Sequence, residues 1–328
     1  MVRGVLNLFA SWCRRHDRVG DENAAVEPST SVWDDSPGRY AHGDFKTYWE
    51  ALEQVSKQQA KLMTGGESED VLSWLVELIR REVGVAGLRG LSIGCAAAAA
   101  PEIAFARSGL FRAIDVIDLA GGLLEKRSAA AKEQGFDWIH YLRQDLEGVQ
   151  LEPNSYDVIW AIGTVHHLES LEALFVEINR GLSGCGLFFM REYVGPDRLR
   201  LTDEQLRQAD RVLAWLPEAF RRRWDGTLKQ TAECVDLDTL LAEDPSEAIR
   251  SSAILPTMKE ALAVERVVPT GGTLLMPLLD GIAARFEGSP QGEALLSHLM
   301  QFEQLLVASG QLPSDYIFAI ARKQTAGE

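Results

Sequence analysis

Apart from a hydrophobic core, little in this chain would hold it together. Four cysteines occur in 328 residues, Cys13, Cys95, Cys185 and Cys234, and no two of them form a C-x-x-C pair. That spacing excludes a disulfide framework and offers no cysteine zinc site, and it predicts a reducing, cytoplasmic setting. Positive charge is also scarce, since 33 Lys and Arg face 48 Asp and Glu for a formal net charge of −15. Nucleic acid is therefore not an expected partner, because phosphate binding needs a basic footprint that releases counterions. No apolar run reaches the length of a bilayer span. The best candidate, in "MVRGVLNLFASWCRRHDR", is about ten residues long and has no small-x-small site after it, so no stable membrane insertion is expected. No internal repeat is visible either. What is present, 46% apolar and 25% charged residues, is the composition of a globular chain with ample length to bury a core.

The pattern along the chain sorts into four parts. Residues 1–44 include a long polar stretch rich in Pro, Gly, Ser and Asp without a sustained period, and read as a flexible N-terminal extension. From 45 to 195, two amphipathic helices lead into a strand-helix alternation: "LRGLSIG", "FRAIDVID", "WIHYLRQD", "YDVIWAIG" and "GLFFMREYV" are strands, and helical stretches separate most of them. Residues 196–254 break that rhythm and read as a helical cap, an insertion carrying substrate contacts. Residues 255–328 resume it with "VERVVPT" and "SDYIFAIARK". Strands spaced by helices demand parallel pairing and right-handed crossovers. The expected fold is α/β: a doubly wound, Rossmann-like, seven-stranded sheet with an antiparallel last strand, N-terminal helices and a helical cap insertion.

Three candidate ligand positions fall on one edge of that sheet. In "LSIGCAAAAAPEIAFA" a strand ends at Gly94 and a helix opens on Pro101; backbone can approach a ligand closely at such a turn, and a helix N-terminus favours negative charge. Asp118 ends the second strand, where a carboxylate can accept both hydroxyls of an adenosyl ribose; Asp115, two residues earlier, is its competitor. Asp145 and Leu146 follow the third strand at the same carboxyl edge, where ligands of doubly wound sheets collect.

In this order, "LSIGC", "IDVIDLAGGLLEKR", "QDLEG" and "YDVIWAIGTVHHLESLEALFVEINRGLSGCGLFFMREYVGP" resemble class I S-adenosylmethionine-dependent methyltransferases over roughly residues 70–195 and the two C-terminal strands. "EYVGPDRLRLTDEQL", "DPSEAIRS" and "TGGTLLMPLL" resemble a bacterial branch that modifies sugars or secondary metabolites. The resemblance implies S-adenosylmethionine as cofactor. It implies that Ser92, Gly94, Cys95 and Ala96 cradle the methionine portion and that Asp118 with Leu119 binds ribose. It further implies that Asp145 with Leu146 binds adenine and that Ala161, Ile162 and Gly163 line the sulfonium. The chain departs from the family where the later glycines of G-x-G-x-G are Ala96 and Ala98, and where Ser92 stands in place of an acid. Alanine disfavours positive φ at a cost of roughly 1 kcal/mol or more, so weakened cofactor binding is expected.

His166 and His167 follow the fourth strand and Glu192 ends the fifth, so all three can face the reacting atoms. A neutral imidazole there could take a proton from a hydroxyl or amine; the alternative is that His167 caps the next helix or holds the turn. No metal is expected, because neighbours in a strand point opposite ways. Trp49, Tyr193, Arg198, Glu247 and Arg250 are the candidate substrate contacts, with Trp49 as an apolar lid. The implied activity is methyl transfer to an oxygen, or a nitrogen, of a small-molecule acceptor. Two other readings stay open: a non-catalytic relative serving as a binding or scaffold module, and an NAD(P)-dependent oxidoreductase, against which the single glycine speaks. The assembly is left open, with a homodimer among the states expected.

Overall fold

The computed structural model describes residues 48–95, 100–223 and 225–324. The expected extension, residues 1–44, and Ala96 and Ala98 lie outside them. Among the described residues, seven strands form one sheet: β1 (Leu88–Ile93), β2 (Phe111–Asp118), β3 (Ile139–Arg143), β4 (Tyr156–Ile162), β5 (Leu182–Tyr193), β6 (Leu262–Gly271) and β7 (Tyr316–Lys323). Their order is β3-β2-β1-β4-β5-β7-β6. Strands β1 to β5 pair in parallel, and β7 runs antiparallel to both β5 and β6. The expected doubly wound sheet with an antiparallel last strand is thus present. Because β1 lies between β2 and β4, the direction of winding reverses there, and in doubly wound sheets ligands collect at the carboxyl ends of the strands beside such a reversal.

The helices are α1 (Glu53–Thr64), α2 (Val71–Glu82), α3 (Pro101–Arg107), α4 (Gly121–Glu133), α5 (Leu171–Gly181), α6 (Asp203–Trp215), α7 (Glu218–Arg221), α8 (Leu237–Glu243), α9 (Ser251–Ala261), α10 (Leu275–Leu279) and α11 (Pro290–Ala308). Alternation along β5 shows how the sheet fills both layers. Leu187 and Phe189 join Trp160, Phe105 and residues of α1 to α4 on one face, while Phe188 and Met190 join Phe175, Ile178 and Met258 on the other. Trp160 and Phe189 stack at 6.2 Å between centroids. Each such fully buried side chain contributes roughly 2 kcal/mol.

A third apolar cluster covers the carboxyl edge. It joins Val212 and Leu213 of α6, Leu278 of α10 and Leu299 of α11 to Trp49, Tyr193 and Tyr316. The cap therefore packs as one body with the helices between β6 and β7. Polar bonds dock it as well. Thr202 and Gln205 form a capping box at the start of α6, and the Gln205 amide also donates to Thr273 Oγ1 at 3.0 Å and to Asp315 Oδ2 at 2.7 Å. One side chain thus closes a helix end and ties the cap to the sheet edge.

Three boundaries differ from the sequence expectations. Ser68 reads in sequence as the start of α2, whereas Asp70 caps that helix through Ser73 N. Helix α9 begins at Ser251 and carries Pro256 in its interior, whereas Pro256 reads in sequence as a helix start. Strand β5 begins at Leu182, ahead of "GLFFMREYV". No described helix is long and apolar enough to cross a membrane.

Candidate functional site

The turn after β1 requires glycine. Gly94 has φ +83°, and a Cβ there would overlap the Thr164 side chain from the turn after β4. Its N–H donates to Ile117 O at 2.8 Å, and Ser92 Oγ donates to Gly94 O at 2.8 Å. The Ser92 hydroxyl thus braces the turn. Asp118 answers from β2: Oδ2 accepts from Cys95 N at 2.6 Å and Oδ1 from Ala120 N at 2.8 Å. Asp118 thus fastens the end of β2 to the turn after β1 and to the start of α4. Burial pushes the Cys95 thiol well above its ordinary pKa, which keeps it protonated and unreactive.

Asp145 is exposed at the same edge, its Oδ1 accepting from Glu147 N at 3.0 Å. Leu119 accepts through its carbonyl from Arg143. Leu146 is buried in the apolar cluster that also holds Ile117, Ala161, Leu168 and Leu171. After β4, Ala161 is buried and Ile162 half-buried. Gly163, at φ +60°, donates to Arg191 O at 3.0 Å.

On the β4–β5 side the structure brings together His166, Glu192 and Glu247. His166 and His167 lie in a 3-10 turn, Val165–His167, so the expectation that they diverge as strand neighbours does not hold; their ring centroids are 4.0 Å apart. Glu192 is fully buried. Its Oε2 accepts from Thr164 N at 3.1 Å and Val165 N at 2.8 Å, and its Oε1 bonds His166 Nδ1 at 2.9 Å. On the far side of the ring, His166 Nε2 is 3.7 Å from Glu247 Oε1. Burial alone would lower the His166 pKa, but the two carboxylates outweigh it and hold the value at about 9. Burial, then the neighbouring His166, pull His167 well below the ordinary histidine range. Burial raises Glu247 to about 7, against the pull of His166.

The cap loop that delivers Glu247 is tightly fixed. Arg198 donates from its guanidinium to Pro245 O at 2.6 Å and Glu247 O at 3.1 Å. Its own N–H bonds Ala248 O, and Ile249 N bonds His166 O. Arg198, Leu199 and Ala248 all have left-handed backbone, with φ between 48° and 56°, a strained state for residues with a Cβ. Arg198 therefore shapes the site through backbone contacts. Arg250 pairs with Glu172 at 2.9 and 2.7 Å on the surface and fastens the cap to α5. Tyr193 is buried, its hydroxyl donating to Pro196 O at 3.0 Å. Trp49, expected as an apolar lid, is only 1% exposed and packs on Tyr316 with 5.6 Å between centroids. It also borders a cavity of about 320 Å³ between α1, β6 and α11.

Several residues at this edge were not anticipated from sequence. Arg191 pairs with Glu50 and, at 2.9 Å, with Gln59 Oε1, joining the N-terminal segment to β5. Burial holds Asp315 up to about pKa 7. An arginine inside the apolar string "GLFFMREYV" was the available signal, since a buried cation needs a partner.

Fold and edge together define a Rossmann-like α/β chain whose winding reverses between β1 and β4. Within it, residues 91–190 match the family model described as "Methyltransferase domain", a family that uses S-adenosylmethionine. The chain is 33% identical over 125 residues to a malonyl-[acyl-carrier protein] O-methyltransferase of Methylovorus sp. (strain MP688), covering 37% of this chain and 40% of that protein. It is 29% identical over 96 residues to N-terminal Xaa-Pro-Lys N-methyltransferase 1 of Rattus norvegicus, covering 29% and 43%. The chain thus spans less than half the length of these relatives. Among solved structures, a geranyl diphosphate C-methyltransferase from Streptomyces coelicolor A3(2) aligns with TM-score 0.46 at 13% identity, over 98% of this chain and 95% of that one.

Proposed function

We propose that this chain binds S-adenosylmethionine at the carboxyl edge of β1 to β4 and transfers its methyl group to an oxygen, or second to that a nitrogen, of a small-molecule acceptor held under the cap. The observation that carries this reading is the contact of two turns within the matched methyltransferase segment. The left-handed Gly94 turn, held by Asp118, packs on Thr164, and Thr164 opens the turn that presents His166 and His167. Ligand edge and polar wall are therefore one structure.

The residues present fit the cofactor. Asp118, at the end of β2, would accept the ribose hydroxyls, Asp145 would accept from the adenine amine, and Ala161 to Gly163 would lie against the sulfonium. When bound, S-adenosylmethionine supplies a methyl already activated for transfer, so the chain mainly has to align the acceptor. Ser246 helps to do this. It gives its hydroxyl proton to Asp244 at 2.6 Å and so accepts from His167 Nδ1, 3.2 Å away; neutral His167 then carries its lone pair on Nε2, able to accept from an acceptor O–H or N–H. His166 and Glu192 act through the turn as positioning residues.

Calorimetric titration with S-adenosylhomocysteine tests the cofactor. Binding near micromolar that Asp118→Asn weakens roughly tenfold or more supports the reading, and no binding at millimolar ligand overturns it. Binding without methyl transfer to any acceptor in a small-molecule extract would select the non-catalytic reading instead.

A further inference from the structure

A 3-10 turn does what a strand could not: it brings two adjacent imidazoles to one point. One ring nitrogen of His166, one of His167 and one carboxylate oxygen of Glu247 lie within 4.8 Å of one another. Partners behind both rings orient them. Glu192 holds His166 Nδ1 at 2.9 Å, which directs Nε2 at Glu247. Ser246, itself bonded to Asp244, holds His167 Nδ1. A carboxylate or hydroxyl behind each imidazole is the outer arrangement around metal-ligating histidines. The 3.7 Å between His166 Nε2 and Glu247 Oε1 is also what two bonds of about 2.1 Å to one ion, roughly 120° apart, would span.

The geometry points to a divalent-cation site made by His166, His167 and Glu247. Two nitrogens and one carboxylate oxygen suit a first-row ion of the Zn²⁺, Co²⁺ or Fe²⁺ kind, whereas Mg²⁺ and Ca²⁺ take oxygen ligands. Glu192 and Asp244 add the negative charge that a buried dication needs, and protons on the ligand atoms leave to solvent as the ion enters. Three protein ligands leave a position open for water or another oxygen. The site stands on its own geometry and does not depend on methyl transfer. Were both correct, the acceptor oxygen would bind the ion in place of hydrogen bonding to His167.

The test is titration of the chelator-stripped full chain with Co²⁺, followed by visible absorption. One Co²⁺ per chain is expected, with the weak bands of a nitrogen- and oxygen-ligated ion, and Zn²⁺ should displace it. Glu247→Gln and His167→Gln should each weaken binding at least tenfold, and Ser246→Ala by roughly tenfold. Having two ligand variants guards against misfolding of either, with circular dichroism as the check. Absence of saturable Co²⁺ binding overturns the site. So does equal affinity in the folded ligand variants, or the intense absorption of thiolate ligation, which would move the ion to the cysteines.

Discussion

The carboxyl edge of this sheet has two halves that hold their polar groups in opposite ways. On the β1–β2 half, bonds run to backbone close at hand: Ser92 to Gly94, Asp118 to Ala120, and Asp118 across to Cys95. On the β4–β5 half, buried charges from three segments answer one another, and the cap loop reaches back across 79 residues to place Ser246 on His167. The first half presents a shaped backbone with acceptors at its rim. The second is a charged network under the cap, where a missing partner is not replaced by water.

The comparison breaks first at Glu192. Truncating a buried carboxylate that serves three donors should cost about 3–5 kcal/mol, so Glu192→Ala should lower the free energy of urea unfolding by that amount; a loss below about 1 kcal/mol would mean that the network does not hold this half together. On the other half, Gly94→Ala combines a left-handed backbone with overlap on Thr164. A cost of roughly 1–3 kcal/mol at the turn should reduce S-adenosylhomocysteine affinity by about tenfold or more, and unchanged calorimetric affinity would show that the turn is not the ligand cradle.

Asp315, under the cap beside β7, sharpens the contrast through pH. Its pKa is about 7 in the folded chain against an ordinary 3.8, so between these values the folded state holds a proton that the unfolded state has released. Stability from this group is complete below the lower value and falls as pH rises toward the upper one, by on the order of a few kcal/mol. Asp315→Asn should flatten that part of the wild-type profile in thermal melts from pH 4 to 8; parallel profiles would refute the assignment. The smallest effect is expected at Arg250, whose pairing with Glu172 is at the surface. Arg250→Ala should change stability by no more than about 1 kcal/mol and leave turnover intact, and a large loss of turnover would return Arg250 to the acceptor site.

Much of this was legible residue by residue. The glycine turn, the acid ending β2 and the acid after β3 are local features, and a strand followed by a helix brings them to one edge whatever else the chain does. Leu146 shows what that logic leaves out: its position after β3 is local, while its burial in one cluster with Leu168 and Leu171 is a tertiary outcome. Glu247 and Arg250 read alike in "DPSEAIRS". Only the left-handed Ala248 between them, locked by Arg198, turns one toward His166 and leaves the other at the surface.

By itself, the amino-acid sequence determined the strand–helix alternation, the sheet it must form and the edge on which Gly94, Asp118 and Asp145 fall, because periodicity and turn chemistry act over a few residues. The tertiary structure alone decided that His166 and His167 converge, that Glu192 and Glu247 flank them and that Trp49 is buried against Tyr316. Those outcomes depend on which distant segments exclude water from one another, and burial sets both the partners and the proton affinities of the groups they enclose.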